Sequence, residues 1–348
     1  MRVLLTGAAG FIGSHIHAAL RAGGHEVVAV DLMLPAAHGP GAEPPAGVHQ
    51  VDIRAAAGLD PLLPGIDVVC HQAAVVGAGV NTQDAPAYAG HNDYGTAVLL
   101  AAMERAGCSR LVLASSMVVY GEGLYQGPRG IVAVMGRSRE DIAAGRFEHR
   151  DNGTDLRWAP VPEDTPARPR SLYAASKVAQ ENYATAWAAA TGGAVTALRY
   201  HNVYGPGMPR DTPYSGVAAI FRSALAAGRA PQVFEDGRQA RDFVHVTDIA
   251  AANMAAIEAA LPGFAPLNIC SGHPVTIGEV ARTLAAAHGG PDPVVTGAVR
   301  SGDVRHIVAD PARARQVLGF SARITPAAGL MEFATAPLRP TAAGATVG

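Results

Sequence analysis

The stretch MRVLLTGAAGFIGSH, residues 1–15, decides the fold. A short apolar run at 2–5 enters a turn built on Gly7, Gly10 and Gly13 and leaves it as a helix with an apolar period. Glycines at a strand-to-helix turn allow a tight bend and let a pyrophosphate approach the backbone, and the helix N-terminus then offers it free N–H groups. The spacing is GxxGxxG, one residue away from GxGxxG, so the position of the glycines carries the reading. Phe11 and Ile12, between the glycines, are candidate dinucleotide contacts with them.

Working outward, apolar β-type runs recur at 26–30, 48–51, 67–71, 110–114 and 194–199, with helical stretches at 13–22, 94–106 and 172–190. This alternation predicts right-handed βαβ crossovers and a Rossmann-type, doubly wound parallel α/β sheet over residues 1–200. The strands are uniformly apolar, as strands covered on both faces are. Asp31 closes the second strand, where a carboxylate can accept from both ribose hydroxyls and would repel a 2′-phosphate, which favours NAD over NADP. Asp52 and Ile53, after the third strand, are candidates for the adenine edge.

After about Tyr200 Gly and Pro thicken, and a smaller mixed α/β substrate region is expected over 201–335, some segments returning to the sheet, with a loose tail at 336–348. Residues 121–170 part a strand end from the next helix. Their charged, turn-rich sequence reads as a long loop, of the kind that is functional or mobile.

Hydrophobic residues make up 49% and charged residues 16%, so a sizeable core is available. The net charge of −2, with no basic face, argues against nucleic acid. Cys70, Cys108 and Cys270 are dispersed and form no CxxC, so no disulfide framework and no metal site is expected. That pattern suits a reducing compartment, and a cytoplasmic location follows. No apolar run reaches about 18 residues, and no membrane contact is expected.

Lys177 is the only lysine; the rest of the 27 basic residues are arginines. It follows Tyr173 by four residues on a predicted helix, so both share one face. An ammonium near a phenol favours the phenolate and lowers its pKa, which lets the phenol act as general base and acid. A compact ammonium can reach a ribose hydroxyl and lie beneath the phenol, which a planar guanidinium fork does less well.

Together with HQAA (71–74), HNDYGT (91–96), SSMVVYG (115–121), YAASK (173–177), RYHNVYGP (199–206), RDFVHVTD (241–248) and RSGD (300–303), these stretches resemble the extended short-chain dehydrogenase/reductases of the nucleotide-sugar epimerase/dehydratase branch, to about residue 335. The resemblance implies Tyr173 as acid/base, Lys177 as its partner and Ser116 as the hydroxyl bonding the reacting sugar oxygen, with Met117 beside it. It places Ala73 and Ala74 against the cofactor, Asn92 nearby, and Tyr200 and His201 near the nicotinamide; His201 stands where the family often has Phe. It puts Asn202 near the sugar or its phosphates, Arg241 and Arg300 on the diphosphate with Asp303 positioning that arm, and Gln232 and Phe234 at the nucleotide base. A homodimer built through helices 94–106 and 172–190 is the family habit.

Dehydratases of this branch carry an Asp-Glu pair after the Ser/Thr; here Met117 and Val118 stand there and neither ionises. Epimerisation of a UDP- or dTDP-linked sugar at C4, through a transient 4-keto sugar, is therefore the expected reaction. A ketoreductase or dehydrogenase with exchangeable NAD(H) remains open, since the cofactor motif does not separate the two; a non-catalytic NAD-binding protein would be expected to have lost Tyr173 or Lys177. The segment 121–170 lies between Ser116 and Tyr173 and is expected to form part of the substrate site.

Overall fold

A computed structural model describes residues 1–77, 81–210, 216–300 and 303–339. Seven parallel strands form the central sheet: β1 (Arg2–Thr6), β2 (Glu26–Asp31), β3 (Val48–Gln50), β4 (Val68–His71), β5 (Arg110–Ser116), β6 (Ala194–Tyr200) and β7 (Gly263–Ile269). Their order is β7-β6-β5-β4-β1-β2-β3. Strands such as β4 and β6 are buried along nearly their whole length, with no polar alternation, because helices cover both faces. One face carries α1 (Phe11–Ala22) and α4 (Val246–Ala259); the other carries α2 (Gly95–Arg105) and α3 (Leu172–Thr191). The chain order reverses between β1 and β4, which opens a crevice beyond the carboxyl ends of these strands.

The second half is tied into this sheet, since β7 pairs with β6 in register and α4 packs on α1. It also has a core of its own around Tyr204, Phe221, Phe243, Leu284 and Phe333. The C-terminal segment is not loose as far as Arg339. Ala336 is buried, Gly207 N–H donates to Pro337 O, and Arg339 N–H donates to Met208 O. A short bridge to 207–209 thus holds 337–339 down; residues 340–348 lie outside the described residues.

Residues 121–170 are folded, not a structureless loop. Leu124–Gly127, Gly130–Ala133 and Arg157–Ala159 make a three-stranded antiparallel sheet, and Arg150–Asp151 pairs with Thr154–Asp155 around an Asn152-Gly153 turn with positive φ at both residues. Buried ion pairs link it to the rest of the chain beside scattered buried apolar residues such as Tyr125, Leu156 and Val161, and neither makes an apolar period, which is why the pattern read as loop. Arg305, 0% exposed, bonds Glu148, Glu235 and Asp236. Arg137 reaches Glu235 at 2.7 Å, and His149 meets Glu122 at 3.2 Å.

Candidate active site

The crevice holds a cavity of about 440 Å³ lined from both halves of the chain. Its floor is the glycine turn. Gly7 has φ +69°, and a Cβ there would stand 2.7 Å from Ala73 N; one at Gly13 would stand 2.0 Å from Gly7 O. No side chain caps α1, so its first N–H groups are left for an anion. Phe11 and Ile12 line the same wall.

At the β2 end, Asp31 accepts from Ala9 N at 3.0 Å and Met33 N at 2.9 Å, and His38 Nε2 lies 3.3 Å from its Oδ1. Burial works to raise the Asp31 pKa, but the His38 contact and these amides hold it below the usual value. A carboxylate fixed there fits a ribose diol. The His38 contact was not foreseen; nothing in PAAH (35–38) signals it. Asp52 also lines the cavity, with its carboxylate engaged by Arg54 at 2.6 Å, and Ile53 packs beside Gly95.

Ala73 and Ala74 form the wall after β4. Asn92, 0% exposed, is not on the surface of the cavity. Its amide grips Val75 N at 2.8 Å and Val75 O at 2.9 Å, and donates to Ser176 Oγ, so it shapes the loop that is. His71 links Thr6 (2.7 Å) to Thr96 (3.0 Å), and Gln180 joins at Thr96. Burial pushes His71 down to about 3, so it is a neutral tie between β1, β4, α2 and α3.

At the far end, α3 starts at Leu172, capped by Ser171 Oγ accepting from Ala174 N, and this sets Tyr173 and Lys177 on the cavity. Lys177 is 3% exposed; its Nζ donates to Ala114 O at 2.9 Å and lies 5.8 Å from the Tyr173 ring centre. Burial brings its pKa down to about 8, against the pull of Glu181 and Asp93. Burial also pushes the Tyr173 phenol up, while the Ser116 side chain opposes the rise and Tyr88 adds to it. The phenol is thus raised, and the lowering by the ammonium that the sequence predicts does not appear. Desolvation of the phenolate dominates, and the Ala114 carbonyl takes one of the three Lys177 Nζ donors.

Ser116 ends β5, and Met117 lines the cavity beside it. Tyr200 is held through its hydroxyl between Gln72 and Asn253, two partners that sequence reasoning missed. Asn202 and Phe243 add the opposite wall. Gln232, Phe234, Arg241, Arg300 and Asp303 do not line this cavity. Gln232 and the 40%-exposed Phe234 stand on a surface strand and its end. Arg241 donates to the carbonyls of Ala240, Val304 and Arg305, and Arg300 pairs with Asp303 at 2.9 Å. Residues 301 and 302 of RSGD lie outside the described residues.

The NAD-dependent epimerase/dehydratase family model matches residues 3–138 and 153–270. The chain belongs to that family. It is 33% identical to the dTDP-L-rhamnose 4-epimerase of Burkholderia thailandensis, covering 96% of this chain and 94% of that one. The UDP-glucose 4-epimerase of Thermus thermophilus, solved in complex with NAD, superposes with a TM-score of 0.75 at 31% identity, over 99% of this chain and 100% of that one. The Thermotoga maritima UDP-glucose 4-epimerase with UDP-glucose does so at 0.79 and 27%, over 96% and 97%. The cofactor of this epimerase-family chain is NAD, and the close glycine turn, the uncapped α1 and the fixed Asp31 carboxylate fit it. Among the described residues no helix is long and apolar enough to cross a membrane.

Proposed function

We propose that the protein is an NAD-dependent epimerase of a nucleotide-diphosphate sugar, acting at C4. The carrying observation is the pairing of Tyr173 and Lys177 at the far end of the dinucleotide cavity, with Met117, which cannot ionise, lining the wall beside Ser116. Elimination of water needs a proton donor and acceptor at that wall; oxidation and reduction of a carbinol need one acid/base. NAD⁺, when bound, supplies the hydride acceptor and later the donor, together with a cationic ring. As the phenolate, which the Lys177 ammonium and the cationic ring of bound NAD⁺ would favour against the effect of burial, Tyr173 takes the proton of the sugar O4 hydroxyl and returns it after the 4-keto sugar has turned over in the site. Ser116 holds the phenol and the sugar oxygen. Lys177, anchored on Ala114 O, lies under the phenol and reaches the ribose.

UDP- or dTDP-linked hexoses are the substrate class, supported by the names of the similar proteins. Arg241 and Arg300 take the diphosphate in this reading, which requires Arg241 to exchange carbonyl partners for phosphate oxygens. Asp303, Gln232 and Phe234 belong to the same arm. The insertion meets this arm directly, because Arg137 donates to Asp303 O at 3.2 Å. A homodimer through α2 and α3 is supported by Tyr94, just before α2, and Tyr183, on α3, which are exposed at 59% and 49%. Three free, buried cysteines support a cytoplasmic site of action.

Isomer formation without added cofactor, followed by chromatography over a panel of UDP- and dTDP-sugars, tests the reading. Conversion at C4 by protein carrying its own NAD is expected. Net reduction or oxidation that depends on added NAD(H) would assign it as a ketoreductase instead.

A further inference from the structure

His201 stands one residue beyond β6, with its backbone N–H on Ile269 O at 3.0 Å, so the rim of the sheet fixes its place. It lines the cavity, is 3% exposed, and neither ring nitrogen has a partner among the described residues. The neighbouring Asn202 Oδ1, on the same wall, is also buried without one. Tyr204 and His245 have unpartnered polar atoms too, but those residues do not line the cavity. A buried polar group without a partner is costly, and His201 lines a ligand cavity, so a turn of its ring that brings a nitrogen to the cavity surface would let a ligand remove that cost.

Burial and the guanidinium of Arg241 push the imidazole down to about 3, so the ring is neutral: one nitrogen donates and the other accepts. A sugar hydroxyl, donor and acceptor at once, matches that pair. Tyr200, on the cofactor side, is already held by Gln72 and Asn253, whereas the cation that His201 senses is Arg241, on the substrate side.

We propose that His201 is a specificity-determining residue that hydrogen-bonds a hydroxyl of the hexose ring, with Asn202 beside it. This rests on the epimerase reading. An apolar side chain of similar shape at 201 would close the wall without reading the hydroxyl. A site built to bond a hydroxyl rejects an analogue that lacks it, because its own polar groups are then left unpaired.

The test compares wild type, His201→Phe and His201→Gln, each carrying NAD, on UDP-glucose and dTDP-glucose and on their 2-, 3- and 6-deoxy analogues. Wild type is expected to disfavour one deoxy analogue by roughly 10- to 100-fold in kcat/KM. In His201→Phe the parent sugar falls toward that analogue and the discrimination shrinks to within about threefold. His201→Gln, which keeps a donor and an acceptor, retains part of it. NAD released per chain by acid stays equal in all three. Unchanged discrimination in His201→Phe overturns the proposal, and so does loss of bound NAD, which would make His201 a cofactor contact. If wild type isomerises neither these sugars nor any other of the UDP- and dTDP-sugar panel, the epimerase reading fails by itself. Calorimetric titration of the same NAD-loaded proteins with both nucleotide sugars then decides for His201: weaker binding in His201→Phe supports the contact, and equal binding overturns it.

Discussion

At the residue scale the site turns on how few ionisable groups surround the phenol. Tyr173→Phe keeps the ring and loses the proton carrier, so turnover should fall by roughly 10²–10⁴-fold while NAD stays bound; a variant with wild-type kcat would remove Tyr173 from the mechanism. Lys177→Arg keeps the charge but must fit a fork where Nζ, on a side chain only 3% exposed, meets Ala114 O at 2.9 Å. A loss of about 100-fold or more in kcat is expected, and steady-state rates near wild type would make the lysine dispensable in kind. Asp93 gives a pH signature. Burial pushes its carboxyl up to about 6, with Lys177 opposing, and its Oδ1 has no hydrogen-bond partner among the described residues. A carboxyl whose folded pKa is raised stabilises the fold below its unfolded value near 4, and that stability is lost as pH rises through about 6. Asp93→Asn should therefore melt higher than wild type at pH 7–8 and converge with it toward pH 4. Because Lys177 also loses an anionic neighbour, the alkaline limb of kcat should move to lower pH. A melting difference of the same size at every pH contradicts this.

The elements that carry the chemistry were legible where period and glycine speak, and illegible where charge holds structure together. β1, the Gly7–Gly13 turn, α1 and α3 with Tyr173 and Lys177 follow from local sequence. The residues that fix them do not: Glu181 on α3 takes Arg199 of β6 at 2.7 and 2.9 Å and Ser115 of β5, and Asn92 grips Val75, all pairs far apart in the chain. The segment 121–170 read as a loop for the same reason, since its anchors are single residues, charged or apolar, scattered through polar sequence. Arg305 is the clearest of these, coming from the far end of the chain to meet Glu148 of the insertion together with Glu235 and Asp236. Arg305→Met leaves Glu235, 2% exposed, with less of its neutralising charge, and should cost about 3–5 kcal/mol in denaturant unfolding. Arg305→Met with Glu235→Gln should recover part of that. If the single variant unfolds like wild type, the network does not hold the insertion in place.

At the scale of the whole molecule, the cavity is where the two halves meet. Gly7, Asp31 and Tyr173 come from the first half, Asn202, Phe243 and Arg339 from the second, and 337–339 lie along 207–209 at its edge. The halves are also joined beneath it by β7 in the sheet and by α4 on α1. A ligand filling the cavity touches both halves and binds the folded chain alone, so it stabilises the molecule as one unit by mass action. NAD held at about a thousand times its dissociation constant adds roughly 4 kcal/mol, which for a chain of this length moves the thermal midpoint by about 5 °C or more. Stripping NAD should lower the midpoint by that amount in a single transition, and titrating NAD back should restore it with the same concentration dependence as the return of activity. An epimerase regenerates its cofactor within each turnover and has no need to release it, so the purified protein should already melt at the upper value. A midpoint indifferent to stripping, or two transitions of which one alone responds, would mean that the cofactor does not bridge the halves as this cavity requires.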